Sequence, residues 1–207
     1  MSNLKMEKVD ILGREVHLPT NHGVHEVASS FIASNQTEKV LGAGASAMVS
    51  TFGADRVLKI FDKRDVGSLA YLKYCQENDG KYAWLPKVFF VKEMQNYNMA
   101  VIEILNPSYT CYSKEFNRSY FNTVAPYYAM GELLASVTKR KTMGYEISLS
   151  WMDFAMTSLN NDHYNFISDM TCIISAHDMI RVDMHCGNVM LRDNQFVVND
   201  PFYFSTL

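Results

Sequence analysis

Apolar residues recur along the first half of the chain in two periodicities. Short apolar runs separated by polar turns predict a five-stranded small lobe: residues 40–49 read as a strand, a small-residue loop and a returning strand, and 56–61, 88–91 and 99–102 read as three more strands. Helical spacing predicts helices over 24–34 and 65–77. A hairpin around Gly13 is predicted within 9–18.

Helical patterns dominate the chain from residue 106 to Ser175. Pro126 is typical of a first helical turn, and Tyr127, Met130, Leu134 and Val137 follow on one apolar face. Residues 164–175 predict a second amphipathic helix. We therefore expect an α+β fold in which an extension (1–37) precedes an antiparallel β lobe (38–105) and a reduced, mainly helical lobe (106–207).

Composition and charge limit the classes of partner. The formal net charge of −3 and the pI near 6.1 give no reason to expect direct nucleic-acid binding. No apolar run reaches the length of a membrane span, and the first residues lack the apolar core of a signal peptide. The four cysteines form no metal-binding pattern, which indicates reduced thiols. We expect a cytoplasmic protein without a membrane partner.

Candidate chemistry is concentrated near the C-terminus. Asp183 is followed five residues later by Asn188, and apolar residues on either side of Asp193-Asn194 predict a hairpin that returns Asp200 to the side of Asn188. Phosphoryl transfer needs a base beside the acceptor hydroxyl and hard oxygen ligands for Mg²⁺, which these three side chains would supply. The alternative is that all three are ordinary loop and turn residues.

A second candidate group lies in the predicted β lobe. Gly42, Gly44 and Ser46 occupy a small-residue loop in which backbone N–H groups can approach phosphates. The loop leads into further strands rather than into the helix of a dinucleotide-binding unit. Lys59 follows in an apolar strand, with Leu58 and Ile60 on the opposite face. We expect Lys59 to bind phosphate, the alternative being a solvated lysine on an edge strand.

The end of the predicted β lobe has the pattern of a hinge. Glu103, Ile104 and Leu105 are followed by Asn106-Pro107, and we expect the backbone at Glu103 and Leu105 to meet an adenine. The preceding helix, 65–77, has carboxylates only near its two ends, at Asp65 and Glu77.

These segments, taken in order, resemble the early-gene serine/threonine protein kinases of T-seven-like podophages (Autographiviridae) over residues 38–204, and more broadly the protein kinase-like superfamily. The resemblance implies a minimal bilobal kinase-like fold that transfers the γ-phosphoryl group of ATP, with Mg²⁺, to serine or threonine of host bacterial proteins in the host cytoplasm. It implies that Asp183 is the base, that Asn188 and Asp200 bind Mg²⁺, and that Lys59 binds phosphate. His185 either contacts the γ-phosphate or orders its loop.

The sequence departs from the kinase pattern in three respects. The helix lacks a central Glu, Asp200-Pro201-Phe202 replaces Asp-Phe-Gly, and only Pro201 to Leu207 follow Asp200. These departures predict a minimal kinase without a movable activation segment, whose substrate recognition comes from 1–37, from 111–151 or from the partner in a homodimer. Two rival functions stay open: a small-molecule phosphotransferase like aminoglycoside or choline kinases, and a pseudokinase that binds and inhibits a host protein.

Overall fold

The computed structural model describes residues 5–20, 22–35, 37–44, 46–107, 118–138, 155–184, 188–193 and 195–204. Their architecture is α+β with antiparallel sheets, which confirms the predicted class. The helices are α1 Val24–Ser34, α2 Val66–Glu77, α3 Arg118–Thr138 and α4 Asn161–Ser175. The strands are β1 Met6–Ile11, β2 Arg14–Pro19, β3 Val40–Ala43, β4 Ala47–Thr51, β5 Arg56–Asp62, β6 Val88–Glu93, β7 Tyr97–Glu103, β8 Asn106–Pro107, β9 Ile180–Val182, β10 Val189–Arg192, β11 Gln195–Val198 and β12 Phe202–Phe204.

The chain divides into two compact units. Unit 1 comprises Met1–Asp65, Leu72–Glu77 and Lys87–Ile104, and unit 2 comprises Val66–Tyr71, Asn78–Pro86 and Leu105–Leu207. The residues of the predicted extension and of most of the predicted β lobe therefore belong to one unit. Helix α2 is divided, since its first six residues belong to unit 2 and the rest to unit 1.

Unit 1 contains a five-stranded antiparallel sheet in the order β3-β4-β5-β7-β6. Side chains alternate between the two faces of β5, and Leu58 and Ile60 share one face, as the sequence predicts. They lie in a buried cluster with residues of α1 and of the β1–β2 hairpin. Lys59 lies between them in the strand and is therefore directed to the other face. The sheet thus has an apolar face covered by residues 9–31 and a second face that carries the lysine.

An ion pair links the β1–β2 hairpin to the start of β3. Arg14 Nη1 lies 2.6 Å from Glu38 Oε1, and the Arg14 guanidinium also stands 5.0 Å from the Phe52 ring centroid. Thr51 and the Gly53 backbone donate to the same carboxylate. Burial by itself would raise the pKa of Glu38, but the hydrogen bonds from Arg14, Thr51 and Gly53 outweigh it, so the pKa is lowered.

Unit 2 combines helices with short sheets. Helices α3 and α4 pack together, β8, β10 and β11 form one sheet, and β9 pairs with β12. Trp84 is the centre of an aromatic cluster: it stacks on His163 at 4.4 Å between ring centroids and on Tyr82 at 5.3 Å. His163 Nδ1 also accepts a hydrogen bond from the Asn160 N–H at the start of α4.

Helix α3 differs from its prediction. It begins at Arg118, so Pro126 lies inside the helix rather than in its first turn. An internal proline removes a backbone hydrogen bond, but buried Ala125 and Tyr127 on either side of it show that packing continues through this point. Val137, predicted to face inward, is 58% exposed near the helix end.

Among the described helices, none is both long and apolar enough to cross a membrane.

Candidate functional site

Asp183 and Asn188 are joined directly in unit 2. The Asn188 amide nitrogen donates to the Asp183 backbone carbonyl at 2.8 Å and to its carboxylate Oδ2 at 3.0 Å. Both partners can only accept, so the nitrogen of the amide must face them and its oxygen must face elsewhere. The Asn188 amide therefore orients the carboxylate of Asp183, the predicted base.

Backbone pairing places Asp200 next to this loop. The predicted β10–β11 hairpin is present, with Val189 opposite Val198. Beyond the hairpin, the Asn199 N–H donates to the Asn188 carbonyl at 3.4 Å, and the Asp183 N–H donates to the Pro201 carbonyl at 2.7 Å. Asp200 is thus held between two backbone bonds, one to each of the other predicted residues.

Three residues of α2 support Asp200 and its strands through contacts that the sequence did not predict. The Ser68 hydroxyl donates to Asp200 Oδ1 at 3.1 Å, and the Tyr71 hydroxyl donates to the Val198 carbonyl at 2.5 Å. A Cβ on Gly67 would lie 3.1 Å from Phe202 Cβ. Each partner lies more than a hundred residues further along the chain, so the only local signal was small and polar residues in an otherwise apolar helix.

Helix α3 supports the other side of the Asp183 loop. A Cβ on Gly131 would stand 2.9 Å from the Met184 Cβ, closer than real side-chain atoms come. Met184, which directly follows Asp183, is 5% exposed. Glycine at this position therefore lets the helix backbone approach the loop.

Lys59 is buried on β5 in unit 1. It is 7% exposed, it pairs in register with Val49 and Ala100, and its Nζ lies 5.4 Å from the Phe61 ring centroid. A lysine so deeply buried is rare in proteins unless it has a partner. This position disagrees with the alternative of a solvated lysine at a sheet edge, because β5 lies in the middle of the sheet.

The small-residue loop is a hairpin between β3 and β4, closed by the Gly44 N–H donating to the Ala47 carbonyl at 2.8 Å. Gly42, Gly44 and Ser46 are all exposed. A Cβ added at Gly42 would meet no described atom within 4 Å, and one at Gly44 would meet only the Ala47 carbonyl at 4.0 Å. Neither glycine has a positive φ. The fold itself therefore does not need glycine here, and the loop leaves room for a ligand.

The predicted hinge residues fall on either side of the boundary between the units. The Glu103 N–H donates to the Lys87 carbonyl and the Ile104 N–H to the Asp55 carbonyl, both at 3.0 Å. Glu103 also accepts the Lys87 N–H through its carboxylate. The N–H groups of Glu103 and Ile104 are thus both engaged within unit 1, and Leu105 is the first residue of this part of unit 2.

The donor set in unit 2 suits a hard cation. Asn188 and Asp200 offer an amide oxygen and a carboxylate, which are ligands that Mg²⁺ prefers when phosphates complete its coordination. Over the described residues, no group of three or more His, Cys, Asp or Glu side chains could hold a metal by itself. His185 lies outside the described residues. Neither models of known protein families nor curated protein sequences match the chain.

Proposed function

We propose that this chain is an ATP- and Mg²⁺-dependent phosphotransferase of the protein kinase-like type that acts on serine or threonine of proteins. The observation that carries the proposal is the hydrogen bond from Asn188 to the Asp183 carboxylate, in a loop flanked by Asp200. A base held beside two oxygen ligands is the arrangement that phosphoryl transfer needs.

Each residue has a defined task in this reaction. Asp183 accepts the proton of the acceptor hydroxyl while that oxygen bonds to the γ-phosphorus and the bond to the β-phosphate oxygen breaks, releasing ADP. Asn188 and Asp200 would hold Mg²⁺, which neutralises the phosphate oxygens when it is bound. The backbone bond from Asp183 to Pro201 keeps the base and the metal-binding segment together.

Unit 1 supports the nucleotide part of the proposal. Its sheet order, β3-β4-β5-β7-β6 with α2 between β5 and β6, is the one expected of a kinase-like small lobe. The hairpin with Gly42 and Gly44 precedes the strand with Lys59, as in protein kinases. The open space beside both glycines leaves room for a phosphate to approach the loop backbone, although the Gly44 N–H already donates to the Ala47 carbonyl.

The nature of the acceptor rests on the family resemblance, which points to bacterial host proteins. A pseudokinase is the second candidate, and one observation favours it. Active protein kinases pair a Glu of this helix with the strand lysine. The single carboxylate of α2 is instead Glu77, the last residue of the helix. Against it stands the joint presence of Lys59, Asp183, Asn188 and Asp200.

The test is transfer of labelled γ-phosphate from ATP with Mg²⁺, with and without bacterial lysate. We expect label in the chain or in lysate proteins, and a loss of at least about 100-fold in Asp183→Ala and Asp200→Ala, because a positioned base alone contributes about 10²–10⁴-fold. Asp79→Ala removes an exposed carboxylate and serves as the control. Mg-ATP binding without label in any protein would overturn the protein-kinase proposal in favour of a small-molecule acceptor or a pseudokinase.

Nucleotide binding is tested separately with Gly42→Val. The fold leaves open space at this position, so we expect an unchanged melting temperature but weaker ATP binding, since the added side chain fills the space beside the loop backbone. An ATP affinity equal to that of the wild type would remove this loop from the proposed site.

A further inference from the structure

The first half of α2 is attached to the segment that carries Asp200. Within Val66–Tyr71, which belongs to unit 2, Gly67 allows close approach to Phe202, Ser68 bonds to Asp200, and Tyr71 bonds to the Val198 carbonyl. The Tyr71 ring also meets the Phe202 ring edge-on at 6.0 Å. These contacts fix this part of the helix against the residues just before and just after Asp200.

The Ser68 contact differs from the others because it reaches a side chain with proposed chemistry. Ser68 is 1% exposed, and its hydroxyl lies 3.1 Å from Asp200 Oδ1. An ionised carboxylate can only accept, so the serine must be the donor. A buried hydroxyl that donates to one oxygen restricts rotation of the carboxyl group and so sets the direction of the other oxygen.

We propose that Ser68 is a positioning residue for the metal-binding carboxylate of Asp200, an inference that rests on the proposed function. Protein kinases couple this helix to the site through a Glu that pairs with the strand lysine, and α2 has no such Glu. Here the helix contributes a neutral donor to Asp200 instead. Partners that orient a metal ligand typically change metal affinity by about 10–100-fold when they are removed.

The inference is tested without relying on turnover by measuring Mn²⁺ binding to the full chain. Electron paramagnetic resonance is the readout, with and without ATP. We expect Ser68→Ala to weaken Mn²⁺ binding by about tenfold and Ser68→Thr, which keeps the hydroxyl, to recover most of it. Tyr71→Phe is the matched comparison, because it removes a buried hydrogen bond of the same helix whose acceptor is the Val198 carbonyl rather than Asp200, and we expect a smaller loss of Mn²⁺ binding than in Ser68→Ala. Melting temperatures of all variants report folding, and Ser68→Cys, with only a weak donor, replaces the alanine variant if that variant does not fold.

Asp200→Asn separates this inference from the proposed function. If Asp200→Asn abolishes Mn²⁺ binding while Ser68→Ala binds like the wild type, the metal site stands and the role of Ser68 is overturned. Equal weakening in Ser68→Ala and Tyr71→Phe would also overturn it, because the effect would then be loss of helix packing. Unchanged Mn²⁺ binding in Asp200→Asn would remove the metal site itself and with it both proposals.

Discussion

Gly131 lies so close to Met184 that a larger residue would not fit there without a shift. A Cβ at this position would stand 2.9 Å from the Met184 Cβ. Alanine favours helices over glycine by about 1 kcal/mol, whereas overpacking a tight contact costs about 1–3 kcal/mol. We expect the clash to outweigh the helix preference in Gly131→Ala. The free energy of unfolding, measured in urea, should fall by about 1 kcal/mol.

The same substitution should reduce the proposed phosphoryl transfer more than stability alone explains, because Met184 directly follows Asp183, the proposed base. A shift of the base by a fraction of an ångström lowers kcat, and we expect a fall of about tenfold or more. Ser136→Ala, on the exposed side of α3, is the control. A Gly131→Ala protein more stable than the wild type would show that the contact can relax.

His163 gives the second prediction at this scale. Burial lowers its pKa from the ordinary 6.5, although Asp162 acts in the opposite direction. Below pH 6.5 the unfolded chain therefore binds more protons than the folded chain. The stability that is present above that pH is lost as the pH falls through the folded-state pKa of His163. Protonation of Nδ1 would also remove the acceptor of the Asn160 N–H.

We expect the urea midpoint of the wild type to fall between about pH 7.5 and pH 5.5, and to fall less in His163→Gln. His17→Gln, which removes an exposed histidine, is the matched control. Identical pH profiles for wild type and His163→Gln would contradict this prediction.

At the scale of elements, a partly buried ion pair joins the β1–β2 hairpin to Glu38, which lies just before β3. Glu38 has a side chain that is 3% exposed, and Arg14, its partner at 2.6 Å, is 34% exposed. Removing the partner of a buried charge costs about 3–5 kcal/mol, and the partial exposure of Arg14 reduces this. We expect Arg14→Ala to lower the free energy of unfolding by about 2 kcal/mol.

Lys8→Ala is the comparison for that measurement. It removes an ion pair in the same hairpin, with Glu15, whose partners are 63% and 48% exposed. Exposed pairs contribute about 0–1 kcal/mol, so this variant should unfold almost as the wild type does. Equal effects in the two variants, measured by urea unfolding, would show that burial of Glu38 is not the cause.

Elements with strong local patterns were predictable, and contacts between distant residues were not. The apolar residues of β10 and β11 and the turn at Asp193 predicted the hairpin that brings Asn199 to Asn188. Helix α3 was predicted to have Pro126 in its first turn because proline is a local signal of a helix start, whereas the helix begins eight residues earlier, at Arg118. The bonds from Ser68 and Tyr71 join residues with no pattern in common, so only the folded chain reveals them.

At the scale of the whole molecule, the described part of the 1–37 segment contributes to the core of unit 1. Their buried apolar side chains lie in one cluster with Leu58, Ile60, Met99 and Val101: Val9, Ile11, Val16, Leu18, Val24, Val27, Ala28 and Phe31. Each large apolar side chain contributes about 1.5–3 kcal/mol when buried. The summed contribution of this set is therefore comparable to the net stability of a typical domain, about 5–15 kcal/mol.

We therefore expect a chain that starts at residue 38 not to fold, as shown by loss of a cooperative transition in circular dichroism. A role of this segment in substrate recognition has to be tested with exposed positions instead, for example Leu12→Ser, which is 42% exposed at the hairpin turn. A cooperative transition in the truncated chain would show that the sheet is stable without this cover.

The rings around Trp84 also give unit 2 an optical signal of its own. The sequence has two tryptophans, Trp84 and Trp151, so a Trp151→Phe chain has one indole, packed face to face with an imidazole at 4.4 Å. Its emission would follow the packing of α4 and the ionisation of His163, while residues 9–31 unfold without a tryptophan to report them. One fluorophore would thus report the melting of unit 2 alone.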